Sequence, residues 1–288
     1  MNKLMKKAGA LVLTGAMAAS MCMGASAEEE VELVVFAAAS MTETMTEIAE
    51  MYKEVAPNVT ITYNFDSSGT LKTQIQEGAD CDLFISAAQK QMNQLDINAD
   101  ASVNEEGLDF VVADSRIDLV ENKVVLVVPE GNPAGIESFD DLTSDKLTLL
   151  CLGNEDVPVG AYSDEILESL GIDKAQLEAD GKVTYGTNVK EVTSQVSEAA
   201  VDAGIIYATD AYSAGLTVVD EATSEMCRQV IYPAAVLNVS QNPEEAQAFL
   251  DYLQTDDCAA VFEEVGFTMV QAEEAETEVE TESETAAE

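Results

Sequence analysis

Hydroxyl and amide side chains clustered where strands give way to helices carry the first chemical signal of this chain. Ala37-Ala38-Ala39-Ser40 closes a strand before Met41-Thr42-Glu43 opens a helix, which places Ser40 as an N-cap. Asp66-Ser67-Ser68-Gly69-Thr70 makes a second such turn, with Ser68 and the flexible Gly69 at the helix start. Val157-Pro158-Val159-Gly160-Ala161-Tyr162 is a third, and Thr187-Asn188-Val189-Lys190 a fourth. Gly204-Ile205-Ile206-Tyr207 adds a tyrosine at a strand end. A helix start offers unpaired N–H groups and about half a unit of positive charge, so several converging on one cleft bind an anion without lysine or arginine. All four turns are expected at the carboxyl ends of strands, the edge at which open α/β sheets take ligands. Lys72 and Lys190 are the nearest cations in sequence, and both are expected to be solvated on helix faces. Singly, each motif is an ordinary cap or turn; the signal is their joint order.

Other chemistries are excluded or disfavoured by composition. Histidine is absent from the chain, which removes imidazole bases and histidine-containing metal sites. Ser40 or Ser68 as a nucleophile would need an activating base, yet Glu43 and Leu71 stand where an SxxK motif requires lysine. No catalytic residue is assigned, and an enzyme is not expected. Lys+Arg number 13 against 55 Asp+Glu, a formal net charge of −42, which argues against nucleic acid or anionic lipid as partner. The cysteines, Cys22, Cys81, Cys151, Cys227 and Cys258, show no CxxC spacing. In the last four, disulfides in any of three pairings and buried free thiols are both open.

The elements that must position these residues alternate strand and helix. Val31–Phe36, Val59–Phe65 and Asp82–Ser86 have strand character, with helical apolar spacing at Met41, Met45, Ile48 and Tyr52, through Leu71 and Ile75, and from about Gln89. After the apolar strand Asn122–Pro129 the order restarts: strand Leu147–Leu152, a helix through Ile166, Leu167 and Leu170, a strand at Val183, a helix from Val189, and the strand ending at Tyr207. Val230–Leu237 is a returning strand, and the last helix opens with Asn242 as cap and Pro243 in its first turn. The expectation is two lobes, 28–120 with 225–271 and 121–224, joined by two connections and able to close on a ligand. Lys3, Lys6 and Lys7 ahead of an apolar run and Ala25-Ser26-Ala27 mark residues 1–27 as a signal peptide, with lipid attachment at Cys22 as the alternative. Residues 272–288, where Glu alternates with Ala, Thr, Val and Ser, have the composition of a disordered acidic tail. The mature chain is therefore expected to be exported, periplasmic or at the cell surface, and soluble.

Five ordered motifs resemble the periplasmic molybdate-binding proteins of ABC transporters: Val35–Ser40, Ser67-Ser68 with Thr70-Leu71, Asp82–Ala87, Val157–Tyr162, and Gly204–Tyr207 with Asp210-Ala211. The likeness runs from about Val31 to Val270. It implies the α/β, two-lobed, type II periplasmic-binding-protein fold, each lobe a mostly parallel sheet flanked by helices, with two crossover connections. It implies molybdate or tungstate as ligand, held through the oxyanion oxygens alone, no cofactor, and a membrane permease as partner to a monomeric protein. Carried over by position, Ser40 and Ser68 each give a hydroxyl and an N–H, Val159 and Val189 give main-chain N–H groups, and Tyr207 its phenol. Hydrogen bonds to a charged group contribute about 1.5–3 kcal/mol each, so such a shell offsets the desolvation of a dianion. A cleft without a carboxylate is expected to reject phosphate, which keeps a proton in need of an acceptor. Sulfate or a small carboxylate is the rival ligand, and a regulator's sensor domain the rival class.

Overall fold

The computed structural model describes residues 30–270; the signal-peptide reading at 1–27, Cys22 and the tail at 272–288 lie outside them. Eleven strands and nine α-helices alternate among the described residues. A six-stranded sheet has the order β11-β4-β10-β3-β1-β2, from β1 (Val31–Ala38), β2 (Val59–Asp66), β3 (Leu83–Ile85), β4 (Ile117–Asn122), β10 (Val230–Val236) and β11 (Thr268–Met269). A five-stranded sheet has the order β7-β6-β8-β5-β9, from β5 (Val124–Val128), β6 (Leu150–Gly153), β7 (Val183–Gly186), β8 (Ala203–Tyr207) and β9 (Thr217–Glu221). Strands β1, β2 and β3 run parallel, as do β6, β7 and β8; the strands nearest the crossings pair antiparallel.

The helices are α1 (Thr42–Val55), α2 (Ser68–Gln76), α3 (Gln89–Asn93), α4 (Pro158–Ser169), α5 (Lys174–Ala179), α6 (Val189–Ser197), α7 (Ala208–Ala214), α8 (Pro243–Tyr252) and α9 (Asp256–Glu264). On α1 the buried Met45, Ile48, Ala49 and Tyr52 recur at three- and four-residue spacing, the stripe that packs a helix on a sheet. Both faces of the six-stranded sheet are covered. Val35, Leu83, Ile85 and Ala234 enter one apolar cluster, while their neighbours Phe36, Phe84 and Ala235 enter another, as the period-two alternation of strands requires.

The crossings differ from the sequence reading in one respect. The run expected as one strand from Asn122 is cut at Lys123, where the chain leaves the first sheet and enters the second. Asn122 pairs with Val230, and Val125 with Glu221, so the outgoing and returning segments lie beside one another. Two adjacent crossings of this kind join the two sheets. Asn242 is the boundary residue of α8, but its side chain makes no cap; its Nδ2 donates to Glu32 O at 3.1 Å instead. Cys81, Cys151, Cys227 and Cys258 are all free.

Candidate functional site

A small cavity lies where the two sheets face each other, lined by Ala38, Ala39, Ser40, Asp66, Ser67, Ser68, Ala87, Val157, Pro158, Val189 and Tyr207. Four of the five expected site residues, Ser40, Ser68, Val189 and Tyr207, are in this wall. Val159 is fully buried one position beyond it, in the first turn of α4, behind Val157 and Pro158. The cavity's volume is about 10 Å³. That is about the space one water needs, and far too little for a sugar or peptide.

The strand-to-helix turns bring these groups together, though with different caps from those expected. Ser40 does not cap α1. It sits in a 3₁₀ turn, Ala39–Met41, and Met41 is the boundary residue, without a side-chain cap. At α2 the cap is Ser67, whose Oγ accepts from Thr70 N at 3.1 Å and donates to Thr70 Oγ1 at 2.8 Å. Ser67 is thus spent locally, and Ser68 is left free for other work. Asn188 caps α6 by accepting from Glu191 N at 3.0 Å, which leaves Val189 as the first helical residue.

Hydrogen-bond polarity then shows what the hydroxyls can do. Lys123 N donates to Asn122 Oδ1 at 2.8 Å, which fixes that amide's orientation. Asn122 Nδ2 therefore donates, to Thr209 Oγ1 at 2.9 Å and to Tyr232 OH at 3.1 Å. Tyr232 accepts from Asn122, so its single hydrogen is available for Ser40 Oγ, 2.8 Å away. With Tyr232 as the donor, Ser40 accepts from the protein and its own O–H is left for the cavity. Ser68 Oγ likewise accepts from Ala87 N at 2.9 Å, and its hydrogen is also unspent. Tyr207 OH is buried beside Tyr232 and makes no well-aligned hydrogen bond, a state that costs about 1–3 kcal/mol unless a ligand relieves it. Burial, then the neighbouring Tyr232, Tyr162 and Asp210, hold the Tyr207 phenol well above its usual range, so it stays a donor. Tyr232→Phe keeps the ring packing on Tyr207 and Phe267 but removes the proton that orients Ser40. The expected result is roughly 0.5–1.5 kcal/mol weaker ligand binding by calorimetry, and unchanged affinity would contradict the polarity just derived.

Two charged groups escaped the sequence reading. Asp66 lines the cavity, which corrects the expectation of a wall without carboxylates. Its Oδ1 accepts from Ser67 N at 2.7 Å and from Asn188 Nδ2 at 3.3 Å, so it also ties the first lobe to the second. Lys190 is not a solvated helix-face residue. Its Nζ lies 2.6 Å from Glu43 Oε2 on α1 and 3.2 Å from Asp210 Oδ1 on α7. Asp210 is fully buried and neither oxygen makes a well-aligned hydrogen bond, so the contact with Lys190 is electrostatic. Burial pushes the Asp210 carboxyl up to about 6, against the lowering pull of Lys190. Burial depresses Lys190, but Asp210 and Glu43 outweigh it and leave the ammonium above its usual value. Lys72 lies elsewhere, on a surface cavity with Lys90 and Glu105. No local signal announces these pairs, because their partners are distant in sequence.

Among the described residues no group of three or more His, Cys, Asp or Glu could hold a metal ion. No helix there is long and apolar enough to cross a membrane. A Bacillus subtilis protein named as a candidate ABC transporter substrate-binding lipoprotein is 36% identical over 244 residues, covering 84% of this chain and 88% of that one. The molybdate-binding protein ModA of Escherichia coli is 33% identical over 252 residues, covering 85% and 92%. The solved periplasmic molybdate-binding protein of Azotobacter vinelandii superposes with a TM-score of 0.71 at 20% identity, over 83% of this chain and 100% of that one, and shares its two-lobed fold. Residues 33–268 match the model of the bacterial extracellular solute-binding proteins, and the chain belongs to that family.

Proposed function

We propose that this protein captures a small tetrahedral oxyanion, molybdate or tungstate, between its lobes and delivers it to the permease of an ABC importer. The observation that carries the reading is the gathering of the Ser40, Ser68 and Tyr207 hydroxyls in the wall of one small cavity. The main-chain N–H groups of Val159 and Val189 complete the proposed shell from the starts of α4 and α6. Donors alone solvate an ion that has no proton to share, and first-turn amides add positive potential without a cation at the ion. The Escherichia coli relative, named for molybdate binding, supports this ligand. A role as a monomeric, non-catalytic carrier without nucleic acid follows from the same reading. So does a division into lobes 28–120 with 225–271 and 121–224. Export is part of the proposal, with the signal peptide at 1–27. The Bacillus subtilis relative, named as a lipoprotein, favours examining Cys22 as a lipid site in the same preparation.

Titration calorimetry with molybdate, tungstate and sulfate tests the assignment. Tight, similar binding of the first two ions and much weaker sulfate binding is expected, because the first two are close in size and sulfate is smaller. Sulfate binding as tight as molybdate would replace this reading with the rival one. Exclusion of phosphate is not part of the proposal, since Asp66 offers a carboxylate at the cavity wall.

A further inference from the structure

The start of α2 and the loop before α4 touch main chain to main chain across the cleft. Gly69 N donates to Asp156 O at 3.0 Å, joining the residue after Ser68 to the turn that precedes Pro158. A Cβ built on Gly69 would have its three nearest atoms all in Asp156: the carbonyl oxygen, closest of the three, then Cα at 2.9 Å and C at 3.0 Å. Those are backbone atoms, which cannot swing aside as a flexible side chain could. Gly69 is not in a left-handed conformation, so nothing in its own φ demands glycine. The demand comes from the other lobe.

We propose that Gly69 is the residue that permits full closure: its bare α-carbon lets the helix starts of the two lobes meet, and a side chain there holds them apart. The proposal rests on the oxyanion reading above, and Gly69 acts as a positioning residue, since it is not in the cavity wall. With the contact made, Ser68 from one lobe and the start of α4 from the other address the same ion. With the lobes propped apart, each lobe's donors face water and the ion loses half of its shell.

The test is Gly69→Ala, compared with the unaltered protein by molybdate calorimetry, thermal unfolding without ligand, and small-angle scattering with and without molybdate. Alanine is the better helix former, so the ligand-free variant is expected to melt at or above the temperature of the unaltered chain. Its affinity is expected to fall at least tenfold, with the ligand-induced compaction reduced or lost. A variant that binds and compacts like the unaltered protein would overturn the proposal. So would a loss of affinity with the ligand-induced compaction intact, because binding would then fail for a reason other than closure. If the unaltered chain takes up no molybdate, the oxyanion reading fails first and takes this inference with it.

Discussion

Ser68→Ala is expected to weaken molybdate binding by about 1–3 kcal/mol, roughly 5- to 150-fold, because it does two things at once. It removes a hydroxyl donor from the ion, and it leaves the N–H of Ala87, now bonded to Ser68 Oγ at 2.9 Å, without its acceptor. Ser68 is wholly buried, so water does not readily replace either loss. Ser40→Ala is expected to fall in the same range, with the orphaned group being Tyr232 OH. The neighbouring Ser67→Ala separates the roles: it removes the cap of α2 and should cost about 1 kcal/mol of stability with a smaller change in affinity. Equal affinities for unaltered protein, Ser40→Ala and Ser68→Ala would remove both serines from the site.

Gly160→Ala should damage fold and site together. A Cβ at Gly160 would stand 2.5 Å from both Asn154 O and Gly153 O, so the first turn of α4 has to lift from the end of β6. Overpacking of this kind costs about 1–3 kcal/mol, and more where the obstacle is backbone. The displaced turn carries Val159, so molybdate affinity should drop alongside the melting temperature. Gly69→Ala is its counterpart. The clash at Gly160 is with Gly153 and Asn154 of the same lobe, whereas the clash at Gly69 is with Asp156 across the cleft. A Gly160→Ala protein with unchanged melting temperature would contradict the packing at the end of β6.

The sequence made much of the site legible because anion binding at helix starts is a local property. Strand, turn and first helical residues follow one another within a few positions, and that suffices to mark the turns at Ser40, Ser68, Val159 and Val189. What local order cannot show is which hydroxyl is spent. Ser67 and Ser68 are adjacent serines at one helix start, and the choice between them depends on Ala87, 19 residues away. Ser40 has the local pattern of a cap, but it sits in the Ala39–Met41 3₁₀ turn and bonds to Tyr232, 192 residues distant. Lys190 appeared solvated because Glu43 lies 147 residues away in the other lobe. The strand break at Lys123 was hidden for a related reason. Asn122 and Lys123 directly precede the continuous apolar run Val124–Val128, and only the pairing of Asn122 with Val230 and of Val125 with Glu221 shows that the chain changes sheets there. The sequence marks no helix at α5, α7 or α9 and no strand at β9 or β11; α5, α7, β9 and β11 are too brief for periodicity to separate from a loop.

The lobes meet through contacts of unlike kinds: the main-chain bond from Gly69 to Asp156, the Asn188 amide on Asp66, and the Lys190 ammonium on Glu43. The last of these is half exposed at Glu43 and is worth little by itself. The main-chain bond joins the start of α2 directly to the loop before α4, and for that reason the larger effect is expected at Gly69.

A crystal of the protein grown with molybdate and measured at the molybdenum absorption edge tests the central claim most directly. The account predicts one strong anomalous peak enclosed by Ser40 Oγ, Ser68 Oγ and Tyr207 OH, with oxygens at hydrogen-bonding distance and no cation beside them. A peak bound at lysines on the outer surface, with the cavity between the sheets unfilled, would contradict it.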